Sequence, residues 1–340
     1  MSSLRVDDPT AVQEEADAEI SLEKRFFNVQ TFISFGIALA ILVFLFTRFD
    51  IDFNALWNNA RRSDPFLYAL AFLLFYVTFP MRGIRWRLLL RNAGFHAGEG
   101  VALPSLREIT EILFLGWFGN CVIPAKLGDA YRGYLMKKKA QISFSKTFGT
   151  IFAERILDML ILFGLLMAAA LSVFSSSSRG PVSGILEVGF AMAAVIAIGL
   201  LAMKRLGGRI EGFLPKRFRG AYGRFQEGTM ASFGQLPLVI FISVLIWLFE
   251  AGRLFLVTQA LGVPVGFALI VFVALAHSLL TAIPFTPGGL GLAEAGMVGL
   301  LTLAIAPESA ISIAILDRVL SYWSIIFLGF IVFALTRRKY

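Results

Sequence analysis

The chain has 340 residues, of which 57% are hydrophobic and only 16% charged, with a mean hydropathy of +0.76. Soluble domains carry about 25% charged residues, so this composition excludes an ordinary water-soluble domain and makes lipid the solvent for its long apolar runs. One cysteine, Cys121, and two histidines, His96 and His277, exclude a disulfide framework and a metal-ligand cluster, so neither metal, cofactor nor redox chemistry is expected.

Residues 1–28 carry Asp7, Asp8, Glu14, Glu15, Asp17, Glu19 and Glu23. A secretory signal would open with basic residues, so this segment is expected to be a disordered cytoplasmic tail. Residues 29–336 are expected to form one transmembrane domain, and 337–340 a basic cytoplasmic end. Unbroken apolar runs predict full spans at about 29–47, 65–81, 148–173, 184–203, 236–258 and 310–335. Two further apolar stretches, 108–123 and 267–306, contain or end at Pro and Gly.

The net charge of +8 has a topological reading, because Lys and Arg cluster beside the apolar runs. Segments 82–107, 124–147 and 204–224, together with Arg337, Arg338 and Lys339, should face the cytoplasm, and no nucleic-acid partner is expected. This places the chain in the inner (cytoplasmic) cell membrane with both termini in the cytoplasm. Stretch 108–123 has cytoplasmic signals on both flanks, so it must dip into the bilayer and return; by parity 267–306 dips from the opposite face. The expected fold is therefore all-α and polytopic, with about six full transmembrane helices and two opposed re-entrant pairs of broken helices.

The two dips resemble one another. Val122-Ile123-Pro124-Ala125-Lys126-Leu127-Gly128-Asp129 in the first answers Ala282-Ile283-Pro284-Phe285-Thr286-Pro287-Gly288-Gly289-Leu290-Gly291 in the second. An acid–arginine doublet follows each: Glu154-Arg155 comes 30 residues after Pro124, and Asp317-Arg318 comes 33 after Pro284. Matched order and spacing with opposite sidedness predict an inverted repeat.

An ionisable group in hydrocarbon costs several kcal/mol unless it is paired or wetted, so each marks a candidate site. Glu154, Asp158, Glu250, Glu294 and Asp317 are the acids in question. Helical spacing puts Glu154 and Asp158 on one face with Arg155 nearby, and lets Glu250 meet Arg253. Self-neutralisation alone accounts for the Glu250–Arg253 pair as well as a site does. Glu294 follows a glycine run where a helix should start, so capping and a site both fit it. Backbone that leaves helical geometry in a bilayer must be satisfied by protein or water, which implies a cavity beside the breaks at Pro124, Pro284 and Pro287. The half-helix starts near Gly128 and at Gly289–Gly291 are expected seats for phosphate or carboxylate.

Arg82-Gly83-Ile84-Arg85-Trp86-Arg87-Leu88-Leu89-Leu90-Arg91 interleaves arginine with apolar residues at the cytoplasmic boundary, where it can lie in the interface as an anchor, the stronger reading, or hold an anionic head group; the stretch from Arg209 to Arg224 allows the same two readings. No G-x-x-x-x-G-K-[ST] loop and no H-E-x-x-H pair is present, which leaves an enzyme as the minority reading.

Four motifs in order, R-G-x-R-W-x-x-L-L from Arg82, I-P-A-K-L-G-D-A-Y-R-G from Ile123, E-R-x-x-D from Glu154 and P-G-G-L-G-x-x-E from Pro287, resemble the flippase-like membrane domain of lysylphosphatidylglycerol synthases, including its stand-alone members. The resemblance covers about 29–335. It implies translocation between leaflets of aminoacylated phosphatidylglycerol, another anionic phospholipid or a polyprenyl-linked lipid. It further implies a substrate region lined by Arg85, Pro124, Lys126, Gly128, Asp129, Arg132, Glu154, Arg155, Asp158, Pro287, Gly288, Gly289, Gly291 and Glu294, to which the residues' own pattern adds Asp317 and Arg318. The synthases add an aminoacyltransferase domain after this region, whereas this chain runs only to Tyr340, so lipid synthesis is not expected of it. The expected partners are membrane lipids and a soluble or membrane-bound lipid-modifying enzyme; a membrane-embedded transferase or its accessory subunit is the alternative function.

Overall fold

A computed structural model describes residues 53–123, 126–174, 180–282 and 286–336; the expected acidic tail, the span at 29–47, the sites Pro124 and Pro284, and the basic end lie outside them. The described residues are helical, with no strand among them. A short helix α1 (Phe53–Arg62) leads into α2 (Pro65–Asn92), α3 (Leu106–Val122), α4 (Leu127–Ala140), α5 (Phe144–Phe174) and α6 (Gly180–Phe213). There follow α7 (Lys216–Ala231), α8 (Leu236–Ala260), α9 (Phe267–Ala282), α10 (Leu292–Leu301), α11 (Pro307–Arg318) and α12 (Ser324–Thr336). A π turn, Val319–Trp323, joins α11 to α12 in one continuous rod.

Among the described residues, five helices are long and apolar enough to cross a membrane: Pro65–Glu99, Phe144–Val173, Glu187–Phe213, Leu236–Ala260 and Pro307–Thr336. They coincide with the five expected spans that fall in described residues, and the chain is an all-α polytopic membrane protein. Local chemistry sets their starts. Asp64 Oδ1 accepts from the amides of Phe66 (2.8 Å) and Leu67 (3.2 Å) ahead of Pro65, and Ser105 forms a capping box with Glu108 at the head of α3.

Helix α2 runs eleven residues past its expected end at 81, through Arg82, Arg85 and Arg91. The apolar run stops there, but the helix continues because Arg82 and Arg85 are buried against acids of neighbouring helices. At 2% and 0% exposed, these two side chains lie inside the protein and not against the head groups that an interfacial anchor would meet. Arg91 at the end of α2 is exposed.

The core forms where α2 packs against α8, with α3 on one side and α5 beside α9 on the other. Helix α6 stands at the edge and exposes Val188, Phe190, Val195, Ile198 and Leu201, a side-chain set suited to lipid.

Both proline-bearing stretches are broken helices, as expected. Between α3 and α4, Lys126 adopts the left-handed conformation (φ 57°), rare for a residue with a side chain. Gly128 then brings α4 against α3: a Cβ there would stand 2.0 Å from the Gly116 carbonyl oxygen and 2.5 Å from the Asn120 nitrogen. Between α9 and α10 the chain makes a short turn, Pro287–Gly289, with Gly288, Gly289 and Gly291 all at positive φ. The breaks touch each other. The Tyr322 hydroxyl donates to the Cys121 carbonyl at 2.9 Å, supplying one of the partners that the interrupted end of α3 lacks, and the Tyr322 ring lies against Gly288.

Gly128→Ala should therefore cost about 1–3 kcal/mol by overpacking, read as a lowered thermal-unfolding midpoint in detergent. Gly164→Ala on α5, where a Cβ would meet nothing within 4 Å, should leave the midpoint unchanged or raise it.

Candidate functional site

Ion pairs buried between helices form the centre of the molecule, in three groups. In the first, Arg85 on α2 donates to Asp158 at 2.5 and 3.1 Å and to Glu154 at 2.8 Å on α5, and also to the Ser243 hydroxyl on α8 at 2.8 Å. Arg132 on α4 reaches Glu154 at 2.9 Å and Asp129 at 3.5 Å, and Arg155 lies 3.1 Å from Asp129 and 3.6 Å from both Glu154 and Asp158. In the second group, Arg82 on α2 donates to Glu250 on α8 at 2.8 Å, while Arg253 pairs with Glu250 at 3.3 Å and with Asp317 on α11. In the third, Arg318 lies 2.5 Å from Glu294.

The doublets divide their partners alike, except that Glu154 also takes Arg132 of α4. Glu154 takes an arginine from a long helix, Arg85, while Arg155 takes Asp129 in the first turn of the half-helix α4. Asp317 takes Arg253 from the long helix α8, while Arg318 takes Glu294 in the first turn of α10. Arg85 and Arg253 each stand three residues after a charged neighbour, Arg82 and Glu250, and those two neighbours pair with each other. The parallel between the two sets of partners thus reaches α2 and α8, which Arg82–Glu250 joins.

A cavity of about 380 Å³ lies between the groups, within the range of ligand pockets. Both breaks border it, the first through Cys121, Lys126 and Asp129 and the second through Gly288 and Arg318. Its apolar wall includes Phe75, Phe152, Met159 and Leu162. Two tryptophans hold Arg82, whose guanidinium lies 4.6 Å from the Trp117 ring centre and 5.7 Å from that of Trp247. The Trp247 indole N–H is buried, lines the cavity and donates to no atom among the described residues.

The expected site residues divide by position. Lys126, Asp129, Arg155, Asp158, Gly288 and Arg318 line the cavity; Arg85, Arg132, Glu154, Glu294 and Asp317 stand behind them and pair with them or with one another. Gly128 has a packing role. At the second break the chain fills its own expected anion seat: the amides of Gly289 and Leu290 donate to Thr286 and Pro287 carbonyls, and that of Gly291 donates to Glu294 Oε2 at 2.6 Å. Glu294 therefore caps α10 and pairs with Arg318 at once. The sequence pattern gives Arg82 only an anchoring role, offers no role for Trp117, Trp247 or His277, and leaves Glu250 and Arg253 open between self-neutralisation and a site. The three-residue spacing of Arg82 with Arg85, mirrored by Glu250 with Arg253, was the available signal.

Long apolar helices around a charged, partly polar hollow define a multi-pass membrane protein with an internal cavity. Residues 32–329 match the lysylphosphatidylglycerol synthase TM region, and the chain belongs to that family. A UPF0104 membrane protein of Methanocaldococcus jannaschii is 34% identical over 224 residues, covering 65% of this chain and 95% of the relative. The glycosyltransferase AglD of Haloferax volcanii is 26% identical over 327 residues, covering 83% of this chain and 51% of that protein. A UPF0104 membrane protein of Methanothermobacter thermautotrophicus is 24% identical over 318 residues, covering 86% and 90% of the two chains.

Removing one partner of a buried ion pair leaves an uncompensated charge. Glu154→Gln, which weakens the holds on both Arg85 and Arg132, should destabilise by about 3–5 kcal/mol, seen as a lower unfolding midpoint in detergent, whereas Glu99→Gln on the exposed connection after α2 should be silent. Arg82→Met and Glu250→Met combined should cost less than the sum of the two single changes, by about 0.5–3 kcal/mol.

Proposed function

We propose that this protein is a lipid translocase of the cytoplasmic membrane, moving an anionic phospholipid, an aminoacylated phosphatidylglycerol or a polyprenyl-linked lipid between leaflets. The observation that carries this reading is that both interrupted helix pairs border one cavity lined with cations and apolar side chains. In this reading α3–α4 and α9–α10 enter the bilayer from opposite faces, with both termini in the cytoplasm.

The head group enters the cavity and meets Lys126 and Arg155, while the acyl tails stay in the surrounding bilayer. Arg155 is the most accessible arginine of the buried groups, its side chain 35% exposed against 8% or less for the others. Asp129, Glu154 and Asp158 hold it when no lipid is present, so the site needs no free counter-ion. Arg318, held by Glu294 and within 3.3 and 3.4 Å of the Gly288 and Gly289 carbonyl oxygens, takes the matching place at the other break. Exchange of the phosphate between these two positions would carry the head group across the middle of the bilayer.

The likeness to AglD supports a second reading, a membrane-embedded transferase or the membrane subunit of a lipid-modifying enzyme, acting on a phospholipid or polyprenyl phosphate. Purified protein in vesicles with a leaflet-specific lipid reporter separates the two. The translocase reading expects crossing without chemical change to the lipid, lost in Arg155→Ala and Gly289→Leu; a covalently changed lipid favours the transferase, and no crossing of any anionic lipid counts against the proposal. Topology has its own test. The native Cys121 is buried, so cysteines introduced at Lys126 and Lys137 should react with impermeant thiol reagents only from the cytoplasmic side, and labelling from outside would overturn the re-entrant arrangement.

A further inference from the structure

We infer that, of the lipids named above, the cavity selects one whose head group bears one net negative charge, which sets aminoacylated phosphatidylglycerol aside, and that Lys126 sets this selection; the inference rests on the lipid-binding reading above. Each of the three buried groups is neutral by itself. Arg85, Arg132 and Arg155 face Asp129, Glu154 and Asp158; Arg82 and Arg253 face Glu250 and Asp317; Arg318 faces Glu294. Lys126 lines the same cavity and makes no hydrogen bond or ion pair within the described residues. With His277 counted as neutral, the cavity therefore carries a single surplus positive charge.

An unbalanced charge at membrane depth is costly, and an occupant with one negative charge removes the imbalance. A phosphodiester carries one such charge at neutral pH. A phosphomonoester, with a second pKa near 6 in its phosphoserine form, approaches two and would reverse the imbalance; a zwitterionic head group leaves it in place. The unpartnered Trp247 N–H adds a donor without adding charge, which suits a neutral hydrogen-bonding group beside the phosphate. The second break has no equivalent of Lys126. Counting two positions back from the close-packed Gly128 reaches Lys126, and from Gly289 reaches Pro287, so the surplus sits on one side of the cavity only.

The test uses purified full-length protein in phosphatidylcholine vesicles containing a trace of tail-labelled phosphatidylglycerol, phosphatidylcholine or phosphatidic acid, read by an impermeant quencher. Phosphatidylglycerol should cross roughly tenfold or more faster than either of the others. Lys126→Met should abolish that preference and favour phosphatidylcholine, while Lys126→Arg should keep it; Lys126→Met, freed of the unbalanced charge, should unfold no lower than wild type, and Lys126→Arg at the wild-type midpoint. Equal crossing of the three lipids by wild-type protein, or an unchanged preference in Lys126→Met, overturns the inference and leaves the translocase reading standing. A folded Lys126→Met that moves none of the three lipids also overturns the inference, because Lys126 would then be a general head-group contact and not the source of selection by charge. Failure of wild-type protein to move any lipid removes the translocase reading and this inference with it.

Discussion

Six arginines and six carboxylates cannot be taken into a low-dielectric slab unless each meets its opposite at hydrogen-bonding distance, and that requirement organises this molecule. The pairs run between helices far apart in sequence, so α2, α4, α5, α8, α10 and α11 are fixed to one another by charge as well as by packing. Between lipid-exposed helices there is little hydrophobic driving force, because the solvent is as apolar as the side chains. Interhelical ion pairs and close glycine contacts supply the specificity that burial of apolar surface supplies in water.

The helix breaks follow from the same requirement. A continuous helix satisfies its own backbone and has no need of a partner, whereas an interrupted one exposes carbonyls and amides that the protein must meet elsewhere. Here Tyr322 meets Cys121, Glu294 meets Gly291 and Arg318 approaches the carbonyls of Gly288 and Gly289. Each of these side chains also borders or backs the cavity, so the hollow and the breaks around it are supported by one set of residues.

Much of this was legible in the sequence because it is periodic or compositional. Apolar runs about as long as a bilayer requires, or longer, located five described spans, and Pro-Gly punctuation located both breaks. Acid–arginine doublets at matching distances signalled the repeat. What stayed hidden were long-range partners. Arg82 reads as an interfacial anchor because it follows the end of an apolar run, and only the position of Glu250, 168 residues away, keeps it inside. Gly128 reads as a phosphate seat by its place at a helix start, yet the close approach of Gly116, which no local pattern announces, gives it a packing role. Trp117 and Trp247 look like ordinary apolar residues until Arg82 is placed between them.

The π turn at Val319–Trp323 gives the last rod one residue more than a regular α-helix would hold in that length. Each residue of an α-helix advances the azimuth by about 100°, so the extra one resets the angular phase of everything after it relative to Asp317 and Arg318. Upstream of the insertion the rod presents its doublet to the ion pairs; downstream it brings Tyr322 onto Gly288 and lets Gly329 lie against Phe118. A one-residue deletion in this turn would restore regular winding and force a choice between those two alignments, which makes the length of this turn, more than its composition, the quantity that inheritance has to preserve.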